Sequence, residues 1–323
     1  MYNISQKYKS AFIILTKILI IGGAYYLISN KIVNNEFMNK SVFFEKLTAN
    51  IFDNSIVLIT IISFTISNWI LEITKWKSLV SSIKYISFYK AFKQSLASLT
   101  ASLLTPNRMG EYGAKAIYYP KNERYKIMLL NFLGNFSQMT MTVIFGIFGM
   151  FFLWGQISLD INISSIQIFS FSLILCIIIL IVFNDRLAIY RKRIIHHLKT
   201  IPNKIHIKYF LFSFFRYLVF SHQFYFLLMI FGVDIDYLIA MPIIFSMYFI
   251  SSIIPGFVIF DWLIKGSVAV SIFSIYGINE ILILSITSIM WILNFAIPTI
   301  IGSYFVITFN KDPILLKESE IRI

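Results

Sequence analysis

Long apolar blocks alternate with short, mostly basic loops along this chain. Ala11–Ser29, Ile51–Leu71, Ile127–Trp154, Ser165–Phe183, Tyr209–Phe231 and Ile281–Phe309 are apolar over most of their length. Each is long enough to cross a hydrocarbon core about 30 Å thick as a helix. A lipid-embedded backbone must satisfy its own hydrogen bonds, which helices do, so the pattern predicts six spans.

Two further blocks break the pattern. Ala91–Leu104 has 14 residues, rich in Ser, Thr and Ala, and as a helix would rise only about 21 Å. It runs into Thr105-Pro-Asn-Arg-Met-Gly-Glu-Tyr-Gly-Ala-Lys115, where a proline, two glycines and three charges crowd together. Basic residues flank both sides: Lys75, Lys77, Lys84, Lys90 and Lys93 before it, Lys115, Lys121, Arg124 and Lys126 after it. This predicts a re-entrant segment that enters and leaves from the cytoplasmic face; an interfacial amphipathic helix is the competing reading. The second block, Tyr237–Tyr276, is interrupted by Pro255-Gly256 and by Asp261 and Lys265. A tight hairpin of two spans and a pair of half-helices dipping in from outside both fit it.

Composition sharpens the class. Of 323 residues, 58% are hydrophobic and 13% charged, against about a quarter charged in soluble domains. No stretch is long or polar enough to form a soluble domain. The expected fold is an all-α transmembrane bundle of about six to eight spans, with two broken or re-entrant segments and a weak inverted repeat. Residues 1–323 read as one integral membrane domain, with halves at about 11–183 and 209–309 joined by a basic loop, 184–208.

The net charge of +13 does not point to nucleic acid, because the basic residues sit in loops between spans. Asn184–Lys208 carries Arg186, Arg191, Lys192, Arg193, Lys199, Lys204 and Lys208 against Asp185 alone. By the positive-inside rule such loops are cytoplasmic. Gly155–Ser164, Gly232–Asp236 and Gly277–Glu280 lack basic residues and read as external. The parity places both termini in the cytoplasm and the protein in the cytoplasmic (inner) membrane. Gly22 and Ala24 imitate a signal-peptide cleavage site, but Lys17 interrupts the would-be hydrophobic region, so the segment reads as a retained span. The single cysteine, Cys176, excludes an intrachain disulfide.

The two broken blocks resemble each other. Each has a short apolar helix, then a proline, then an acid followed by a lysine at i+4: Glu111–Lys115 and Asp261–Lys265. Acid before base at that spacing is the favourable helical ion pair, and it lets both charges enter a low-dielectric region together. Paired interruptions in two halves of a chain mark a transporter's midplane site. Asn131, Asn135, Gln138 and Thr142 form one polar stripe on the following span, which in lipid should face the bundle interior. Arg216 lies within snorkelling reach of the cytoplasm. His222 reads as hydrogen-bonded packing. His196, His197 and His206 have no Cys or carboxylate at metal spacing, and no motif calls for a cofactor or a nucleophilic triad. Asn294, Pro298 and Gly302 predict a kink with a close helix approach.

Thr105-Pro-Asn-Arg-Met-Gly-Glu111, Lys121-Asn-Glu-Arg124 and Phe260-Asp-Trp-Leu-Ile-Lys-Gly266 resemble the transmembrane domain of lysylphosphatidylglycerol synthases, the MprF-type proteins, and their free-standing relatives. The likeness runs roughly from the second span to the last. Where that family often has a Pro-Gly-Gly-x-Gly turn with a following Glu, this chain has Pro255-Gly256-Phe257 and Asp261. The resemblance implies a lipid-handling domain associated with flipping an aminoacylated lipid, while a separate domain performs aminoacyl transfer. This sequence reads as a free-standing member without that second domain, so aminoacyl transfer is not expected.

The expected function is a flippase or translocator for an anionic or polyprenyl-linked lipid, using a midplane cleft. Arg108, Lys115 and Lys265 would meet a phosphate head group, and Glu111 and Asp261 would balance them or carry a proton. Arg124, Asn131, Asn135 and Gln138 complete the expected substrate-binding set. Membrane lipid is the expected partner, with a separate lipid-modifying enzyme alongside. Two alternatives remain: an intramembrane transferase with Glu111 or Asp261 as base, and a non-catalytic scaffold of a lipid-synthesis complex.

Overall fold

The computed structural model describes residues 54–103, 105, 108–153, 194–195, 197–254 and 261–309. The expected spans Ala11–Ser29 and Ser165–Phe183, Cys176, loop residues 184–193, the Pro255-Gly256 turn and both chain ends lie outside these residues. Every regular element among the described residues is helical.

Helix α1 (Ser55–Val80) begins at Asn54, whose side-chain oxygen accepts the N–H groups of Ile56 and Val57 at 3.2 and 3.3 Å. Such a cap satisfies donors that have no partner within the helix. The helix outlasts its expected end at Leu71 by more than two turns. Trp76, Leu79 and Val80 are buried there, and Lys75 reaches back to Glu72 at 2.7 Å, so charge does not terminate the helix.

The short apolar block forms α2 (Phe88–Ser102), capped by the hydroxyl of Ser87. It folds back as α3 (Met109–Ala116). Fifteen and eight residues rise about 22 and 12 Å, so neither limb can cross a bilayer. The hairpin leaves from one end of α1 and returns to the start of α4, as a re-entrant segment requires. Every residue from Gln94 to Thr100 is buried, which fits a polar, small-residue helix enclosed by protein rather than lipid. The limbs meet at Gly110, where a Cβ would lie 2.9 Å from the carbonyl oxygen of Ala101.

Helix α4 (Arg124–Leu153) is long and apolar, α5 (Asn203–Ile230) is long and carries several bases, and α6 (Tyr237–Ile253) is short and apolar. Helix α7 (Asp261–Phe273) ends in a 3-10 turn, Ser274–Tyr276, closed by Gly277 at φ 71°. Helix α8 (Glu280–Trp291) passes through a π turn, Ile292–Ala296, into α9 (Ile297–Ile307). The expected kink is this π turn, one turn ahead of Pro298. Pro298 has no N–H to return to the carbonyl four residues back, and the ladder widens before it. Three helices among the described residues, Ser55–Val80, Arg124–Leu153 and Glu280–Ile307, are long and apolar enough to cross a membrane. The chain is a multi-pass membrane protein.

The packing is reciprocal between halves. Helices α1 and α5 lie antiparallel, with Arg216 opposite Glu72 and Gln223 opposite Ile61 and Thr65. The first hairpin limb, α2, packs antiparallel on α9 of the other half, and the first limb of the second hairpin, α6, packs antiparallel on α4. Both contacts are made through glycine. A Cβ at Gly302 would collide with the Leu96 backbone, and one at Gly149 with the carbonyl oxygen of Pro242. Exchanging α1–α4 with α5–α9 reproduces the same neighbour relations, which is the arrangement expected of an inverted repeat.

Candidate functional site

One cavity of about 490 Å³ lies between the two hairpins, within the range of small-molecule sites. Arg108, Glu111 and Tyr112 enter it from the first hairpin, and Asp261, Trp262 and Lys265 from the second. Asn135, Gln138 and Thr142 of α4 add amide and hydroxyl groups, so the predicted polar stripe does face the bundle interior. Phe220, Phe224, Met247, Met290 and Phe295 make part of the wall apolar.

The acid–lysine pairs form in both hairpins. Lys115 donates from Nζ to Glu111 Oε1 at 2.6 Å and to Asn131 Oδ1 at 2.8 Å. Its ammonium lies 4.3 Å from the centre of the Trp76 ring, a cation–π distance. Lys265 Nζ meets Asp261 Oδ2 at 2.7 Å. The pairs differ in burial: Lys115 is 1% exposed, whereas the Lys265 side chain is 38% exposed. Lys115 and Asn131 therefore stand behind the cavity wall and hold Glu111, while Asp261 and Lys265 both face the cavity.

Arg108 has φ 58° and ψ 26°, the left-handed region that residues with a Cβ seldom enter. Among the described residues it is the one non-glycine at positive φ. It is also the residue before the first turn of α3. Thr105 takes over the usual capping task, accepting the Gly110 N–H at 2.8 Å. The Arg108 guanidinium has no hydrogen bond or ion pair among the described residues and lines the cavity.

Arg124 is not brought to this site. It opens α4 with its Nε donating to the carbonyl of Tyr119 at 3.2 Å, at the far end of the hairpin from the cavity. The same turn holds a polar knot, in which Gln94 Oε1 accepts from Trp76 Nε1 at 2.8 Å and from the Tyr119 hydroxyl at 2.9 Å. Burial pushes the Tyr119 phenol up to about 12, with the Gln94 hydrogen bond acting in the opposite direction.

The structure adds a charged group that the spacing of apolar blocks misplaces. Glu72 and Lys75 lie inside α1 rather than beyond its end, and Arg216 pairs with the facing helix. Glu72 Oε2 meets Lys75 Nζ at 2.7 Å and Arg216 Nη1 at 3.1 Å, with side-chain exposures of 16% or less. Arg216 Nη1 also donates to Gln138 Oε1 at 3.2 Å. Arg216 turns inward because a carboxylate on the facing helix sits at its own depth, which relieves the cost of a lone buried guanidinium. The sequence signal was the i, i+3 spacing of Glu72 and Lys75.

Beside this cluster runs an amide chain. Asn68 donates to Asn294 at 2.8 Å, Asn294 donates to Gln223 at 2.9 Å, and Gln223 donates to Thr65 at 2.9 Å. It ties α1, α5 and the π turn together at the cavity floor. His222 makes hydrogen bonds with Leu218 and Tyr237, as packing alone requires. No cluster of metal-ligating side chains occurs among the described residues.

A family model described as "Lysylphosphatidylglycerol synthase TM region" matches residues 44–302, which includes both hairpins and the cavity. No curated protein matches the chain, and no solved structure does.

Proposed function

The chain belongs to the lysylphosphatidylglycerol synthase TM-region family, and from that premise we propose that it moves an anionic lipid head group between leaflets through the cavity between its hairpins. The observation that carries this reading is that Arg108 and Glu111 from one hairpin and Asp261 and Lys265 from the other line a single cavity. A phosphate leaving water needs charge-assisted donors, and Arg108 and Lys265 supply them. A cation held at mid-depth without a counter-charge costs several kcal/mol, so cargo and site stabilise each other. Asn135 and Gln138 add polar contacts to the head group, and the apolar wall accepts the first part of the chain attached to it.

Glu111 is held by Lys115, and its place in this reading is to orient the hairpin tip and balance its charge as cargo enters and leaves. The whole chain acts as one integral membrane domain. The basic loops support placing it in the cytoplasmic membrane with both ends inside. A lipid-modifying enzyme acting on the same lipid is the natural partner of such a carrier.

In proteoliposomes, Arg108→Ala should abolish head-group translocation while expression and thermal stability in detergent stay near the parent's. Glu111→Gln should abolish it as well, at a stability cost of about 3–5 kcal/mol because it strands the buried Lys115. Parental translocation rates in both variants would sink the assignment. Lipid analysis of a deletion strain separates carrier from transferase. A lipid confined to one leaflet supports the carrier, and a missing modified lipid supports the enzyme.

A further inference from the structure

The charges in and behind the cavity do not cancel, and the excess has a definite size. Glu111 is matched by Lys115, and Asp261 by Lys265. Glu72 serves two cations, Lys75 and Arg216. Arg108 lines the cavity without a carboxylate partner among the described residues. Among the described residues, five cationic side chains thus face three carboxylates, leaving an excess of two positive charges around one low-dielectric space. The N-terminus of α3 adds a partial positive charge at the tip carrying Arg108.

We propose that the head group carried here is a dianion, a terminal phosphate on a long apolar chain, rather than a phosphodiester or an aminoacylated lipid. This rests on the lipid-carrier reading above and narrows it. A phosphodiester brings one negative charge and leaves one cation unmatched. A lysylated phosphatidylglycerol brings a net positive charge into a site that is already positive. A phosphomonoester brings close to two negative charges above its second ionisation, near pH 6, and three oxygens that a guanidinium can engage through a two-pronged contact. Arg108 is the residue placed to make that contact, because the other cations are engaged by carboxylates.

The test uses one chain with two head groups: farnesyl phosphate and its methyl ester, titrated calorimetrically into the full-length protein in detergent. At about pH 8 the monoester is a dianion and should bind roughly tenfold or more tightly than the methyl ester. At about pH 5 the monoester is a monoanion, and its advantage should disappear. The titratable groups facing the cavity from α1, α3, α5, α6 and α7 are the charged residues already named and the phenols of Tyr112 and Tyr248. The methyl ester, measured at both pH values, reports their contribution. Arg108→Gln should shrink the advantage at the higher pH.

Equal affinity for the two farnesyl compounds at about pH 8, or equally tight binding of lysylated phosphatidylglycerol, would overturn the dianion assignment and leave the lipid-carrier reading standing. Inorganic phosphate binding as tightly as farnesyl phosphate would show that no lipid chain is needed and overturn both, as would failure of every lipid to bind.

Discussion

Arg216 and Glu72 meet at 3.1 Å across the antiparallel helices α5 and α1. These helices occupy equivalent positions in the two halves, so the ion pair joins the halves where they face each other. The same carboxylate also holds Lys75 at 2.7 Å, and that sharing makes the two partners unequal.

Glu72→Gln should therefore cost far more than Arg216→Gln. Removing the carboxylate leaves two buried cations beside a neutral amide, a defect worth about 3–5 kcal/mol. Removing the guanidinium leaves Glu72 and Lys75 paired and forfeits one charged hydrogen-bonding partner, about 1.5–3 kcal/mol. Unfolding in SDS, followed by tryptophan fluorescence, measures both. The reverse order would contradict a shared carboxylate.

At Arg108 the backbone and the side chain make opposite demands. Its left-handed conformation costs a residue with a Cβ about 1–2 kcal/mol, a cost glycine escapes. Arg108→Gly should raise thermal stability by up to about that amount, less glycine's greater unfolded-state entropy, and abolish translocation. Arg108→Lys should keep the strain and restore only part of the rate, because a lysine lacks the planar fork. A lower melting temperature for the glycine variant would mean that the side chain holds the hairpin tip together.

The glycines separate into contacts and spacers. At Gly302 and Gly149 an added Cβ meets backbone that cannot rotate away. Alanine at either should cost about 1–3 kcal/mol and loosen the α2–α9 or α6–α4 contact. Gly113, with nothing within 4 Å of an added Cβ, is the control. Alanine there should stabilise α3 by about 0.5–1 kcal/mol. Melting curves of the three single variants, with protease accessibility of the hairpins, check the contrast.

The described helices, the re-entrant hairpin and the matched acid–lysine pairs were legible because each rests on local chemistry. Run length decides what can cross a bilayer, and a four-residue spacing decides which charges share a helix face. Depth is not local. Glu72 follows Leu71 at the end of an apolar run and, counted along the chain, belongs at an interface. Only the facing helix, bringing Arg216 to the same level, makes it an interior residue. The π turn is hidden for the same reason: Pro298 signals a break, but the widened turn carries Asn294, whose hydrogen-bond partners Asn68 and Gln223 come from other helices. Arg108 was singled out for its charge, whereas its backbone conformation follows from a tip geometry that residue type does not encode.

Because α2 leans on α9 and α6 leans on α4, neither half is a self-contained moving body. Each hairpin is packed on the long helix of the other half. In the carrier proposed above, opening the cavity toward one face and opening it toward the other would break and make equivalent contacts, so the repeat itself would contribute little to the energy difference between them. The balance is left to the places where the halves differ: the more enclosed Glu111–Lys115 pair against the more open Asp261–Lys265 pair, and the π turn that only the second half contains among the described residues. The resting orientation of such a carrier would be decided by a handful of asymmetric side chains rather than by the fold.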